Sequence, residues 1–135
     1  MTPERFAKLK EILDRRQADL TVLMDEIHKP QNIAALKRTC DAVGASRLHG
    51  VSADRKIRRH HGIAGGTRKW VETVVHTDMP GAVAHLKSQG MTIDAAQWSD
   101  KSIDFREADF TAPSAILLGA ERVGVSPLAA ELADV

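Results

Sequence analysis

Two short polar segments of the sequence carry residue types that could bind a ligand or take part in a reaction. The first is His28-Lys29-Pro30-Gln31-Asn32, which follows the apolar run Leu20 to Met24. The second is Gly119-Ala120-Glu121-Arg122-Val123-Gly124, which follows the apolar run Ser114 to Leu118. Its two glycines would allow a ligand to approach the backbone closely. It lacks the signatures of a P-loop and of a dinucleotide fingerprint, so by itself it fits either a ligand site or an ordinary turn.

Arg38 and Asn32 accompany the first segment on a predicted helix from about Gln31 to Val43. At about 100° per residue, Arg38 points roughly opposite the apolar stripe of that helix, which consists of Ile33, Leu36, Cys40 and Val43. An arginine in this place is either a solvated side chain or an anion-binding group. Asn32 either caps the helix or belongs to the same polar site.

The segment from 54 to 69 is strongly basic and holds a single acidic residue. It contains Arg55, Lys56, Arg58, Arg59, Arg68 and Lys69, with His60, His61 and three glycines. Because no aromatic residue lies among these side chains to stack on bases, we interpret the segment as a phosphate-contacting loop. A solvated charged loop is the alternative. The two histidines have no nucleophile near them in sequence, which favours phosphate contact over catalysis.

Composition and charge exclude several classes of protein. The chain has 135 residues and a net charge of +1. Residues 1–69 carry a balance of +7 and residues 70–135 a balance of −6, which is typical of a protein with one end facing a polyanion. No apolar run is long enough to cross a membrane, and no signal peptide is recognisable. With one cysteine and no zinc-ligand spacing, we expect no disulfide framework, no metal and a cytoplasmic location.

The elements that must position these residues alternate between strands and helices. Strands are predicted at 20–24, 47–51, 70–75, 91–96 and 114–118, and helices from Pro3, at 31–43, at 80–89 and from Pro127. This alternation predicts an α/β fold with a mostly parallel sheet and flanking helices, preceded by a short N-terminal helix. In such sheets ligands bind beyond the carboxyl ends of the strands. The expected organisation is a helical extension at 1–19 and one domain at 20–135.

Taken together, the two polar segments resemble the first two motifs of the TrmH/SpoU family of the SPOUT superfamily. The first motif is carried by His28-Lys29-Pro30-x-Asn32-x-x-Ala35-x-x-Arg38-Thr39-x-x-Ala42-x-Gly44, and the second by Ile116-Leu117-Leu118-Gly119-x-Glu121-x-x-Gly124. The order and separation of the motifs also fit. The opening helix with Arg15-Arg16-Gln17, the basic loop and Asp104-Phe105-Arg106 resemble the subgroup of the family that acts on tRNA.

The resemblance implies S-adenosylmethionine as cofactor and methyl transfer to a ribose 2′-hydroxyl of tRNA, with guanosine 18 in the D-loop as the expected position. It implies a homodimer and Arg38 as the catalytic residue near its interface, with Asn32 and Glu121 shaping the same site. Ala96, Gly119 and Gly124 are the expected cofactor contacts. The expected RNA-binding residues are Arg15, Arg16, Lys29, Arg55, Lys56, Arg58, Arg59, His60 and Arg68.

One departure concerns the third motif of the family, a Ser-Leu-Asn segment that completes a knot and much of the cofactor pocket. It is not found before Val135. The expectation is therefore a SPOUT-like domain with an incomplete knot, a C-terminally truncated fragment without methyl transfer activity of its own. Three alternatives stay open: a non-catalytic RNA-binding α/β module, a 2′-O-methyltransferase acting on rRNA, and a small nucleotide-binding or signalling domain.

Overall fold

The computed structural model describes residues 1–53 and 70–135. Within these residues the chain forms a parallel five-stranded sheet with helices on both faces. In chain order the elements are α1 (Pro3–Asp14), β1 (Leu20–Met24), α2 (Pro30–Val43), β2 (Arg47–Val51), β3 (Glu72–His76), α3 (Met79–Ser88), β4 (Thr92–Ala95), a 3₁₀ turn (Phe105–Glu107), β5 (Ser114–Leu118) and α4 (Pro127–Leu132).

The strand order β3-β2-β1-β5-β4 places β1 at the centre of the sheet, with β5 on one side and β2 on the other. Leu20 pairs with Ser114 and Met24 with Leu118, so β1 and β5 run together along their full length. Central parallel strands are covered on both faces, which explains why β1 and β5 are continuous apolar runs instead of alternating ones. The two strands that precede the polar segments therefore end side by side.

Two apolar clusters hold the helices against the sheet. On the α2 face the buried cluster contains Met24, Ile33, Cys40, Ala45, Leu48 and Val71. On the opposite face α3 and α4 contribute to a second cluster, which contains Leu23, Met79, Ala82, Val83, Leu86, Ile93, Ala115, Leu117 and Ala129. Successive residues of β1 pack into opposite clusters, as Leu23 and Met24 show. Burial on both faces packs the central strands closely against their neighbours.

Helix α2 ends at Gly44, which adopts the left-handed conformation with φ of 84°. A Cβ atom at this position would lie 2.7 Å from the carbonyl oxygen of Arg15. Both constraints require glycine here. Gly44 also accepts a hydrogen bond from the backbone N–H of Gln17 at 2.9 Å, which attaches the segment after α1 to the end of α2.

Helix α1 contributes no buried residue. Phe6 and Leu13, on the apolar stripe of this helix, are 59% and 60% exposed. The helix is linked to the rest of the chain by an ion pair of 2.7 Å between Arg16 and Asp41. The guanidinium of Arg16 also lies 5.8 Å from the ring centre of Trp70. The predicted division into an extension at 1–19 and a domain at 20–135 stays a prediction.

The predicted fold class, a mostly parallel sheet with flanking helices and a short N-terminal helix, is confirmed. Strands β1, β2 and β5 have the predicted bounds, and the other predicted ends match or differ by at most two residues. Val43 was expected on the buried stripe of α2 but is 46% exposed, because the helix ends there and the chain turns away at Gly44. No helix among the described residues is long and apolar enough to cross a membrane.

Candidate active site at the ends of strands β1 and β5

The two polar segments meet because β1 and β5 are parallel neighbours that end at the same level, Met24 beside Leu118. From this edge the chain continues into α2 on one face of the sheet and, after β5, into α4 on the other. Connections that diverge to opposite faces leave a crevice between them, the usual place for a ligand in an open α/β sheet. The candidate site lies in this crevice.

Three side chains come together across the crevice. The Nζ of Lys29 donates a hydrogen bond of 2.9 Å to a carboxylate oxygen of Glu121, and the Asn32 side chain interacts with the same carboxylate. The hydrogen bond and the charge of Lys29, and then Asn32, hold the pKa of Glu121 below its ordinary value. Lys29 and Glu121 are 62% and 66% exposed. Glu121 is therefore ionised at neutral pH and remains accessible to a ligand.

The segment 119–126, called the glycine turn below, has a closed backbone. Ala120 and Gly124 exchange two hydrogen bonds of 3.1 and 2.8 Å. A Cβ atom at Gly119 would lie 2.0 Å from the carbonyl carbon of Gly124, and Gly124 has a φ of 69°. Both positions therefore require glycine. Glu121 stands on a loop whose ends are fixed close together.

Asp25 is a residue of this site that the sequence analysis missed. It is 4% exposed and accepts a hydrogen bond of 2.6 Å from the backbone N–H of Ser126. The signal in the sequence was an acidic residue directly after a buried strand. A charged group at such a position needs a partner, because burial without one is costly.

Arg38 is exposed and forms no hydrogen bond or ion pair with any residue that the structure describes. It lies six residues beyond Asn32 on α2, which corresponds to about 9 Å along the helix and about 120° around it. Within one chain, Arg38 and Asn32 therefore occupy different faces of the helix. The exposed face that carries Arg38 also carries Ala35, Thr39 and Ala42.

Ala96 lies in the wall of an open cavity of about 1070 Å³ beside β4. Its backbone N–H donates to the carbonyl oxygen of Leu117 at 2.9 Å, which ties this wall to β5. The lining includes carboxylates from Asp94, Glu131 and Asp134. The glycine turn does not belong to it. Of the three expected cofactor contacts, the structure therefore brings only Ala96 to this cavity, whereas Gly119 and Gly124 lie in the turn.

An aromatic part of the cavity wall also escaped the sequence analysis. Trp98, Phe105 and Phe110 line the cavity and are 97%, 70% and 47% exposed. The chain has five aromatic residues of the Phe, Trp and Tyr types in all. Three of these five residues fall within one segment of 13 residues, and this clustering could have been noticed in the sequence.

The expected RNA-binding residues divide into three groups. Arg15 is exposed and pairs with Glu11. The side chain of Arg16 is only 14% exposed, because Asp41 and Trp70 hold it, so little of its guanidinium remains for RNA. Lys29 pairs with Glu121. The remaining candidates, Arg55, Lys56, Arg58, Arg59, His60 and Arg68, lie outside the described residues.

A cluster of three histidines lies away from the crevice, at β2, β3 and α3. The Nδ1 of His49 and the Nε2 of His76 are 3.0 Å apart, and the ring of His85 lies 5.2 Å from that of His76. Burial, and then the neighbouring histidines, lower the pKa of His49 to about 4. No group of three or more His, Cys, Asp or Glu residues within 1–53 and 70–135 is arranged to hold a metal ion.

The fold and this site define an open parallel α/β domain with a polar crevice at its central strands, a class of protein that binds ligands at this edge. Comparison with known proteins narrows the class. The model of the SpoU rRNA Methylase family matches residues 19–135. The chain belongs to this family.

Individual relatives agree. The chain is 46% identical to the tRNA (guanosine(18)-2′-O)-methyltransferase of Escherichia coli K12 over 99% of its own length and 58% of the relative. The enzyme of that name from Thermus thermophilus is 44% identical over 98% and 69%. The crystal structure of the A. aeolicus TrmH/SpoU tRNA modifying enzyme superposes with a TM-score of 0.85 at 37% identity, over 97% of this chain and 67% of that one. The chain thus spans little more than half of the E. coli relative.

Proposed function

We propose that this chain carries the ribose-activating part of a tRNA 2′-O-methyltransferase that acts on guanosine 18. The observation that supports the proposal most directly is the contact of Lys29 and Asn32 with Glu121, which joins the two family motifs across the crevice. Relatives named for this activity are 44% and 46% identical to the chain. A relative named as a 23S rRNA methyltransferase is 27% identical. The tRNA substrate is therefore favoured over rRNA.

Arg38 is the proposed catalytic residue. A ribose 2′-hydroxyl becomes a good nucleophile only when its proton is removed or its developing negative charge is stabilised. A guanidinium has a pKa above 12 and resists acting as a base. Arg38 instead grips a phosphate of the RNA and stabilises the developing oxyanion. Its exposed position without a partner in the described chain leaves it available for this role.

S-adenosylmethionine is the proposed cofactor, and it supplies the methyl group on a positively charged sulfonium. The cavity beside Ala96 fits a cationic ligand with an apolar part. The Oδ2 atom of Asp94 is buried there without a hydrogen-bond partner in the described structure, and the aromatic wall provides an apolar surface. Ala96 would contact the cofactor through its backbone. Gly119 and Gly124 would keep the glycine turn narrow enough for close approach.

A homodimer is the proposed assembly, formed in the cytoplasm where tRNA is processed. The exposed face of α2 supports this proposal, because Ala35, Thr39 and Ala42 are small and allow close packing beside Arg38. A second copy on this face would bring Arg38 to a site from which it is separated within one chain. Arg15, Lys29 and the basic segment at 54–69 are the proposed RNA contacts.

The test is transfer of a labelled methyl group from S-adenosylmethionine to RNA. The chain is fused to the part of the E. coli relative that lies outside the matched region and is assayed on three substrates: unmodified tRNA, tRNA already 2′-O-methylated at guanosine 18, and an rRNA fragment. We expect incorporation only into unmodified tRNA. Equal labelling of the premethylated tRNA would overturn the assignment of the position, and labelling of rRNA alone would favour the rRNA alternative.

Two further arms complete the assay. The chain by itself tests the separate expectation that these 135 residues transfer no methyl group. A fusion that binds tRNA with a steep dependence on salt but transfers nothing would favour the non-catalytic RNA-binding module.

A further inference from the structure

Asp25 is a charged residue in the interior that the proposed chemistry does not use. It is the first residue after β1 and is 4% exposed. An ionised carboxylate loses much hydration when it is buried, and hydrogen bonds must replace it. The partners that Asp25 has acquired therefore indicate what the residue does.

Asp25 contacts both ends of the glycine turn. Its backbone N–H donates to the carbonyl oxygen of Leu118 at 2.8 Å, immediately before the turn. Its carboxylate accepts from the N–H of Ser126 at 2.6 Å, at the end of the turn. A hydrogen bond to an ionised acceptor is shorter and stronger than a neutral one. One residue after β1 thus fixes the points at which the turn leaves β5 and enters α4.

Because the glycine turn is held at both ends, the position of Glu121 within it is held as well. Ala120 and Gly124 are already closed by two hydrogen bonds, and Gly119 lies so close to the Gly124 backbone that no Cβ atom fits between them. A loop this narrow moves as a unit, so its placement depends on its two ends. Glu26, which follows Asp25 at the start of the segment leading to Lys29, has a φ of 52°. Asp25 therefore contacts the glycine turn that carries Glu121 and also begins the segment that carries Lys29.

We propose that Asp25 is a positioning residue: its buried carboxylate holds the glycine turn so that Glu121 meets Lys29 and Asn32. The proposal rests on the proposed function, because the site that Asp25 would organise is the candidate methyl transfer site. Its geometry is nevertheless testable without cofactor or RNA, so failure of the methyl transfer assay and failure of this inference are distinguishable.

The experiment compares three variants of the chain. Asp25→Ala removes the acceptor, and Asp25→Asn keeps an acceptor oxygen without the charge. Thr21→Val is the matched control: Thr21 lies on the preceding strand, is 2% exposed, and donates a side-chain hydrogen bond of 2.9 Å to the carbonyl of Arg47, away from the site. NMR measures amide exchange at 120, 124 and 126 and the pKa of Glu121, with thermal unfolding as the measure of stability.

In Asp25→Ala we expect amide exchange at Ser126, Ala120 and Gly124 to become faster by about tenfold or more, the size of one lost charge-assisted hydrogen bond. The pKa of Glu121 should rise toward its ordinary value. Asp25→Asn, which keeps the acceptor oxygen without the charge, should show smaller changes of the same sign, and Thr21→Val should change neither property, even with a comparable loss of thermal stability. If Asp25→Ala does not fold, Asp25→Asn carries the test through a smaller change in the same direction. The inference is overturned when the aspartate variants match Thr21→Val in exchange and in the Glu121 pKa.

Discussion

The glycine turn and the cavity wall beside β4 belong to the same proposed site, yet they are built differently. The turn is closed by its own backbone and fastened at both ends by Asp25. The cavity wall leaves Trp98 almost fully exposed, and the side-chain hydrogen bonds of its segment 97–102 join only close neighbours such as Ser99 and Ser102. The contact of Lys29 and Asn32 with Glu121 is therefore preorganised within this chain, whereas the surface proposed for the cofactor is open.

The carboxylates of the two regions show the same contrast. The buried carboxylate of Asp25 has a strong hydrogen bond from Ser126. Asp94, on the cavity wall, has a buried Oδ2 without a partner in the described structure. Burial, and then the charge of Asp134, raise the pKa of Asp94. A satisfied carboxylate stabilises the fold, whereas an unsatisfied one at the wall of a cavity suits a ligand.

The largest expected effect comes from breaking the glycine turn. Gly119→Ala places a Cβ atom 2.0 Å from the carbonyl carbon of Gly124. We expect the free energy of unfolding, measured with urea, to fall by about 3 kcal/mol, as for severe overpacking. Gly90→Ala is the control, because Gly90 has a φ of 78° but nothing within 4 Å of the added atom. It should lose only about 1 kcal/mol. Equal losses in the two variants would show that the turn is not tightly closed.

Acid provides a second test, because it should weaken the fold at the histidine cluster, which lies outside both halves of the site. The lowered pKa of His49, about 4, lies below the ordinary value of 6.5. Between these values the unfolded chain binds a proton that the folded chain does not, so stability falls as the pH is lowered. The expected contribution is about 1 kcal/mol per pH unit. Urea unfolding at pH 7, 6 and 5 should show a shallower decline in His49→Gln, and identical declines would contradict this assignment.

A smaller effect of opposite sign is expected at Asp94. Because its folded pKa is raised, the contribution of Asp94 to stability is present at low pH and is lost as the pH rises through that pKa. Asp94→Asn should therefore be more stable than the wild type at pH 7, by less than about 1 kcal/mol, and should lose this advantage near pH 3. A destabilised variant at pH 7 would mean that the carboxylate is satisfied after all.

The smallest effect is expected at Trp98. Because Trp98 is 97% exposed, Trp98→Ala should change the free energy of unfolding by no more than about 0.5 kcal/mol. Leu86→Ala, in the core under α3 at 0% exposure, is the reference and should cost about 3 kcal/mol. A large loss in Trp98→Ala would show that the wall is packed in solution and would weaken the contrast with the turn.

Much of the fold was predictable because its signals are local. The apolar runs of β1 and β5 and the glycine after α2 define elements without knowledge of their neighbours. The approach of Lys29 and Asn32 to Glu121 was only implied, since it depends on β1 and β5 being adjacent. The order of the strands along the sequence does not reveal that β1 and β5 are neighbours in the sheet.

The parts that escaped prediction depend on tertiary contacts. Asp25 resembles an ordinary loop acid until Ser126, distant in the sequence, is placed beside it. The contacts of the Arg16 guanidinium with Asp41 and Trp70 likewise arise only on folding, and the prediction that Arg16 contacts RNA stays a prediction. Trp98 forms a cavity wall only because the segment before β5 folds over β4 and α4.

The most direct measurement of the central claim is the single-turnover rate of methyl transfer to guanosine 18 by the fused protein, with Arg38 varied across pH. If the guanidinium stabilises the developing oxyanion, Arg38→Ala should be slower by about 10²–10³-fold, and Arg38→Lys should recover part of the rate without a new titration. A wild-type rate in Arg38→Ala would contradict the account. So would an Arg38→Lys variant that works at nearly full rate as a titrating base.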